Sequence, residues 1–353
     1  MQLHIPSNTP MRTYPQDYFP EGKIETAHWY TLERGLDKDK KLFYYDYQNS
    51  DSPEQTYLFV HGNPENSYTY RHIRDELIAS GKPMRIIAMD HIGFGLSDQA
   101  DFEMVDMHHS ANVLQLVQHL ELTNITLIVH DWGGPIGVGA FIKESQRVSN
   151  LLVMNTTVFP MPKEGYTYTN YPFPFLAWSM MSFLVPLKLW GGVAAGVVSH
   201  ASPNGVFGLT KMLLKHLYLY GTKKLVPNSP EYVFSEAMRT QNNAASSLRN
   251  LKQTPVWGHG YQYHDAKYGK QNNASYYRDM QKMVSEEWGN KENMSVIGFF
   301  GQWDPCGKDE VIAQWQQALP QMNKNTFKFV DIGHFIEEYK GKEMALELLK
   351  LHS

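Results

Sequence analysis

Apolar residues fall along this chain in short unbroken runs, separated by stretches of helical spacing. TYLFVH (Thr56 to His61), RIIAMD (Arg85 to Asp90), TLIVH (Thr126 to His130), LLVMN (Leu151 to Asn155) and SVIGFF (Ser295 to Phe300) have strand length and little polarity on either face, the pattern of strands buried from both sides. Helical periodicity predicts helices over Ser67 to Ala79, Asp101 to Leu122, Gly133 to about Val148, Asp309 to Leu319 and Lys342 to Leu351; in the second, Val105, Val113, Leu116, Val117 and Leu120 share one side. Ala27 to Arg34 and Lys41 to Tyr47, joined by GLDKDK, read as an edge hairpin, and Thr326 to Val330 as a last strand before DIGHF. Strands alternating with helices predict an α/β fold, a mostly parallel central sheet flanked by helices. Chemistry in such sheets collects at the carboxyl ends of the strands. Here those ends carry Asn63, Asp90, Asp131, Asn155, Asp304 and His334.

The alternation stops between Thr157 and about Asn293, in a stretch rich in Tyr, Met and Asn that is too long for a loop. The expected division is therefore a core domain from residues 1–156 and 294–353, with an inserted helical cap, or lid, at 157–293. Within the cap, Gly165 to Leu187 holds no Asp, Glu, Lys or Arg, and after Lys188 none follows until Lys211. Pro172, Pro174, Pro186 and the Gly191-Gly192 pair interrupt that run, so it reads as an apolar lining for a greasy substrate rather than a membrane span. Peripheral membrane contact through the cap is a second expectation.

Composition narrows the partners. The chain has 32 Lys plus Arg against 36 Asp plus Glu, a formal charge of −4 and no block of one sign that would draw it to nucleic acid. A single cysteine, Cys306, allows neither an internal disulfide nor a Cys-rich metal cluster, and the first 25 residues lack the basic and apolar blocks of a secretory signal. The expected compartment is the reducing cytoplasm. No His, Asp or Glu group has metal-ligand spacing, and Gly93 and Gly95 lack the third glycine of a dinucleotide loop because position 98 is Asp. No cofactor and no metal are expected. His108-His109 reads as a solvated or edge feature, His61 and His130 as structural neighbours of the turn and the elbow, Asp90 and Asp98 as loop-fixing residues, and Cys306 as small packing.

The densest chemistry lies in IVHDWGGP, a strand running into a sharp turn and a helix, which is the layout of a nucleophile elbow with Asp131 at its apex. A carboxylate is already anionic at neutral pH and needs no base for its first attack, so it can displace a leaving group from an sp3 carbon. The resulting ester must be hydrolysed by water, which needs a general base and an oxyanion hole. His334 is the natural base and Asp304 the group that holds its imidazole; the backbone N–H groups of Asn63 and Trp132 are placed for the hole. Asn63 and Trp132 also offer side-chain N–H donors, suited to a weakly hydrated anion such as halide or to a developing alkoxide or carboxylate.

HGNPENSYTYR (His61 to Arg71), DHIGFGLSD (Asp90 to Asp98), VHDWGG (Val129 to Gly134), GQWDP with Asp304 and DIGHF with His334 together resemble the haloalkane dehalogenase branch of the α/β-hydrolase fold. The resemblance implies Asp131 as nucleophile, His334 as base, Asp304 as its carboxylate partner, and Asn63 with Trp132 as the halide-binding pair. In another dehalogenase subgroup the supporting carboxylate is a Glu at the strand end occupied here by Asn155, so the resemblance is to the subgroup with an Asp-His-Asp triad. Through DHIGFGLSD, VHDWGG and Asn155-Thr156 the chain is also similar to the β-lactone decarboxylases of long-chain olefin biosynthesis. Epoxide hydrolases share the Asp-Trp elbow and would require cap tyrosines as proton donors, for which Tyr166, Tyr168, Tyr171, Tyr218, Tyr220, Tyr232, Tyr261 and Tyr263 are candidates. The expected activity is hydrolysis of a haloalkane, with water as co-substrate and halide released. A β-lactone or epoxide substrate is the alternative, and a catalytically silent binder of apolar ligands the outside one.

Overall fold

The computed structural model describes residues 3–198 and 205–351. Its centre is an eight-stranded sheet built from β1 (Ala27–Thr31), β2 (Lys41–Gln48), β3 (Gln55–Val60), β4 (Met84–Met89), β5 (Ile125–His130), β6 (Val148–Met154), β9 (Ser295–Gly301) and β10 (Thr326–Phe329); a separate hairpin holds β7 (Gln262–Asp265) and β8 (Gly269–Asn272). The sheet order is β1-β2-β4-β3-β5-β6-β9-β10. β2 runs antiparallel to β1 and β4, and every other pair is parallel. After β3 the chain moves to β4 on one side, and after β5 to β6 on the other. The loops leaving β3 and β5 therefore diverge and leave a crevice at their carboxyl ends.

Side-chain alternation explains why the strands lack a polar face. Leu58, Val60, Ile87, Met89, Leu127 and Val129 enter one core; Tyr57, Phe59, Ile86, Ala88 and Ile128, their chain neighbours, enter the other. Each fully buried Val, Leu, Ile, Phe or Met side chain among them contributes ~1.5–3 kcal/mol. The helices are α1 (Arg71–Ala79), α2 (Asp106–His119), α3 (Gly133–Gly139), α4 (Met181–Leu184), α5 (Trp190–Val198), α6 (Gly205–Gly221), α7 (Pro230–Ala237), α8 (Gln241–Gln253), α9 (Ala274–Met283), α10 (Asp309–Ala318) and α11 (Glu337–Lys350).

Several expected boundaries shift. α2 begins at Asp106 rather than Asp101, because Asp101 is drawn into ion pairs with Lys40 and Lys267 and His108 Nδ1 accepts the Val105 N–H at 3.1 Å to cap the helix start. His108-His109 is accordingly not a solvated edge: His108 caps the helix, and His109 is buried beside the rings of His91 and Phe94. α3 stops at Gly139 instead of reaching Val148. Four of its seven residues are glycine, a poor helix former, and Tyr276 packs so close that a Cβ at Gly139 would lie 1.9 Å from its hydroxyl. Tyr276 belongs to α9, whose Tyr277, Met280 and Met283 join the same core as α2, α3 and the sheet. α9 therefore packs in the core cluster although it falls within the stretch 157–293.

Candidate active site

The crevice between β3 and β5 holds Asp131, one residue past the end of β5, at φ 49°. A positive φ is costly for a non-glycine residue and is retained where the surroundings over-determine it. Here the Asp131 carbonyl accepts the Gly134 N–H at 3.0 Å and the Thr156 hydroxyl. Gly62 is required opposite it, since a Cβ there would sit 2.4 Å from Asp131 Cβ.

Four other strand ends supply the rest. Asn63, after β3, donates its backbone N–H to Asp131 Oδ1 at 2.7 Å. His334, after β10, places Nε2 3.2 Å from Asp131 Oδ2 and Nδ1 2.9 Å from Asp304 Oδ2. Asp304, after β9, is fully buried and its other oxygen accepts the Cys306 N–H at 2.8 Å. Burial alone would depress the His334 imidazole, but the carboxylates of Asp304 and Asp131 outweigh it and hold the ring well above its ordinary value. Asn155, after β6, ties the two neighbouring loops together: its Nδ2 donates to Gly333 O at 2.9 Å and its Oδ1 accepts the Gly301 N–H at 2.8 Å. A glutamate there could not donate to Gly333.

Asn63 and Trp132 differ from expectation in their side chains. The Asn63 amide donates Nδ2 to Ser247 O at 3.2 Å, in the helical layer above. Trp132 is stacked on Trp257 with centroids 4.0 Å apart, and it lies outside the cavity lining. Trp190, Trp257, Trp288 and Trp315 each donate the indole N–H to a protein oxygen; among the described residues Trp132 has no such bond. Nor does the Trp132 backbone N–H reach the Asp131 carboxylate among them, so Asn63 supplies the backbone donor there.

A cavity, partly open to solvent, rises from this floor. Asn63, Asp131, Asp304 and His334 form its polar end; Trp178, Met181, Val193, Val197, Leu209 and Leu213 are among its apolar walls. Of the eight candidate tyrosines only Tyr168 and Tyr171 line it. The Tyr168 hydroxyl lies 3.2 Å from Cys306 Sγ, whose thiol burial pushes up. Cys306 therefore acts on the site through its backbone N–H, not its sulfur.

Two ionisable partners carried little sequence signal. Beneath the site His130 is wholly buried between Glu65, with Nδ1 2.5 Å from Oε1 though off the hydrogen-bond direction, and Glu337, with Nε2 3.6 Å from Oε2. Its Nε2 also lies 2.9 Å from the His334 carbonyl oxygen. Burial would lower His130, yet Glu337 and Glu65 raise it to about 9, while burial lifts Glu337 to about 7 against the pull of His130. Glu65 in addition accepts the Gly62 N–H at 2.9 Å. Glu65, His130 and His334 could each turn one atom toward a shared point, but His334 is engaged by two carboxylates and His130 by its own, which favours an ion-pair cluster over a metal site. His61 accepts the His91 N–H at 3.0 Å. Asp90 accepts N–H groups of Ser67 and Leu96, and Asp98 that of Lys41, so both carboxylates fix loops.

Among relatives, a cis-3-alkyl-4-alkyloxetan-2-one decarboxylase of Xanthomonas campestris is 37% identical over 32% of this chain and 40% of its own length. A haloalkane dehalogenase of Mycobacterium bovis is 31% identical over 49% of this chain and 57% of its own. The chain thus matches about half the length of these curated relatives. The solved haloalkane dehalogenase of Paraglaciecola agarilytica shares the fold across 99% of this chain and 97% of that one, with a TM-score of 0.66 at 21% identity. A family model described as the alpha/beta hydrolase fold matches residues 57–340, and with the sheet order and strand-end site above it, the chain belongs to that family.

Proposed function

We propose that the protein is a hydrolase whose Asp131 attacks a saturated carbon of an apolar substrate, and that its reaction is carbon–halide hydrolysis. The observation that carries this reading is the Asp131 carboxylate held by the Asn63 N–H on one oxygen and facing His334 with the other, at the foot of an apolar cavity. An Asp131 oxygen forms a bond to carbon as the carbon–halogen bond breaks, and the electron pair departs with the halide. Water then attacks the ester carbonyl carbon while its proton passes to His334 Nε2, and Asp304 stabilises the imidazolium. The oxygen bound by the Asn63 N–H takes the charge of the tetrahedral intermediate. Collapse expels the alkoxide, which takes the proton from His334; the carboxylic acid left on Asp131 then gives up the second water proton to solvent, and Asp131 returns to a carboxylate.

A second reading draws support from the engagement of the Asn63 amide by Ser247 O and from the decarboxylase relative. On a β-lactone, attack at the ring carbon bearing oxygen opens the ring to a carboxylate. Loss of carbon dioxide then forms the carbon–carbon double bond and expels Asp131, with no water and no base required. Incubation with 1-bromohexane, styrene oxide and a dialkyl β-lactone separates the readings by product. Bromide with hexanol is the expected result; olefin with carbon dioxide establishes the second reading, diol that of an epoxide hydrolase, and no turnover of any of them contradicts all three. Substitution of His334 by alanine should stop turnover of the bromide and spare that of a lactone.

A further inference from the structure

The outer surface of the cap is unlike the rest of the protein. Phe183 is 85% exposed and Phe207 92%, values that a large aromatic side chain rarely has on a monomeric soluble protein. They do not stand alone. Leu184 and Leu187 are exposed beside Phe183, and on α6 Phe207, Lys211, Leu214 and Tyr218 recur at helical spacing as one exposed stripe. The inner sides of the same helices, through Met181 on α4 and Leu209 and Leu213 on α6, line the cavity above Asp131. One thin layer separates that cavity from the exposed apolar surface.

Charge says what would cover it. Residues 165–230 contain five lysines, Lys188, Lys211, Lys215, Lys223 and Lys224, and no Asp, Glu or Arg; this formal charge of +5 sits in a chain of −4, which leaves −9 for everything else. All five lysines are exposed, and among the described residues none pairs with a carboxylate. A second copy of the same face would oppose like charges. Apolar residues interleaved with unpaired lysines match the boundary between acyl chains and anionic headgroups. Spanning is not implied: among the described residues no single helix is long and apolar enough to cross a membrane, and the pair Trp178–Leu184 and Leu187–Val198 is bent by 115°, while α5 is mostly buried within the cap.

We propose that the protein docks through this cap face on an anionic lipid surface, with Phe183 and Phe207 inserted among the acyl chains and the five lysines against the headgroups, so that apolar substrate enters the cavity from the bilayer. The docking does not depend on the chemistry proposed for Asp131. It is tested by co-flotation of the full chain with vesicles of phosphatidylglycerol and phosphatidylcholine in equal parts, beside vesicles of phosphatidylcholine alone. Binding to the anionic vesicles that weakens as salt is raised is expected. The paired change Lys211→Gln with Lys215→Gln should weaken it by roughly 25-fold, about fivefold per lysine, and Phe183→Asp with Phe207→Asp should abolish it. Unchanged circular dichroism and unchanged turnover of a water-soluble substrate in these variants show that the fold is intact. No flotation, or flotation equal on both vesicles and indifferent to salt, overturns the proposal. So does a lipid-independent dimer in light scattering that the two aspartates dissolve, since that result gives the face to a second copy.

Discussion

The floor and the roof of the cavity are built on opposite principles. The floor packs Asp131, His334, Asp304, Asn155, His130, Glu65 and Glu337 into a few ångströms, most of them buried and held by several partners. The roof is apolar inside, and outside it carries exposed phenylalanines and lysines that have no carboxylate partner among the described residues. In the floor each group depends on its neighbours, because an unpaired charge in a low-dielectric interior is costly. In the roof each residue stands nearly alone. Removal of one floor residue should therefore be felt through the whole site, whereas removal of one roof residue should not.

That contrast can be broken by measurement. The largest loss is expected for Asp131→Asn, whose turnover should fall by about 10⁴-fold or more, provided mass spectrometry shows the asparagine has not deamidated. Asp304→Asn removes the leading source of the raised His334 value. The base acts when neutral, so its acid limb in a pH–rate profile should move to lower pH while the maximal rate drops by ~10²–10⁴-fold; an unmoved limb would separate Asp304 from His334. His130→Asn strands Glu65 and Glu337 in the core and should destabilise the protein by ~3–5 kcal/mol in denaturant titration.

The same cluster gives a pH dependence. His130 is raised to about 9 and Glu337 to about 7, so the folded state binds more protons than the unfolded chain, in which His titrates near about 6.5 and Glu near about 4.3. Stability contributed by His130 is present below about 6.5 and lost as pH rises toward 9, and Glu337 acts in the same direction at lower pH. The melting temperature should fall over that range, and less steeply in Glu337→Gln. At the small end, Phe183→Ser in the roof should change stability by within about 0.5 kcal/mol.

How much of this was legible in the sequence follows the same division. The sheet and the gathering of Asp131, Asp304 and His334 at its strand ends could be read because burial on both faces leaves continuous apolar runs, and because each of the three follows one of them. Glu65 and Glu337 could not be read as partners of His130, since they come from distant segments and meet only when β3, β5 and α11 are assembled. One hint existed: Glu65 lies two residues beyond Asn63, and His130 immediately precedes Asp131. α9 has the Tyr and Met content of the stretch around it, and its packing in the core cluster with α3 could not be read from that content. The roles of the Asn63 and Trp132 side chains depend on Ser247 and Trp257, which no local pattern ties to the elbow.

The central claim is that Asp131 forms a covalent bond to substrate carbon and that His334 is needed only to release it. Purified His334→Ala incubated with 1-bromohexane and examined by intact mass and peptide mapping tests this most directly. The predicted result is a hexyl adduct on the peptide containing Asp131, formed with release of bromide and absent when Asp131→Asn is added. No adduct, or an adduct on any other residue, would contradict it.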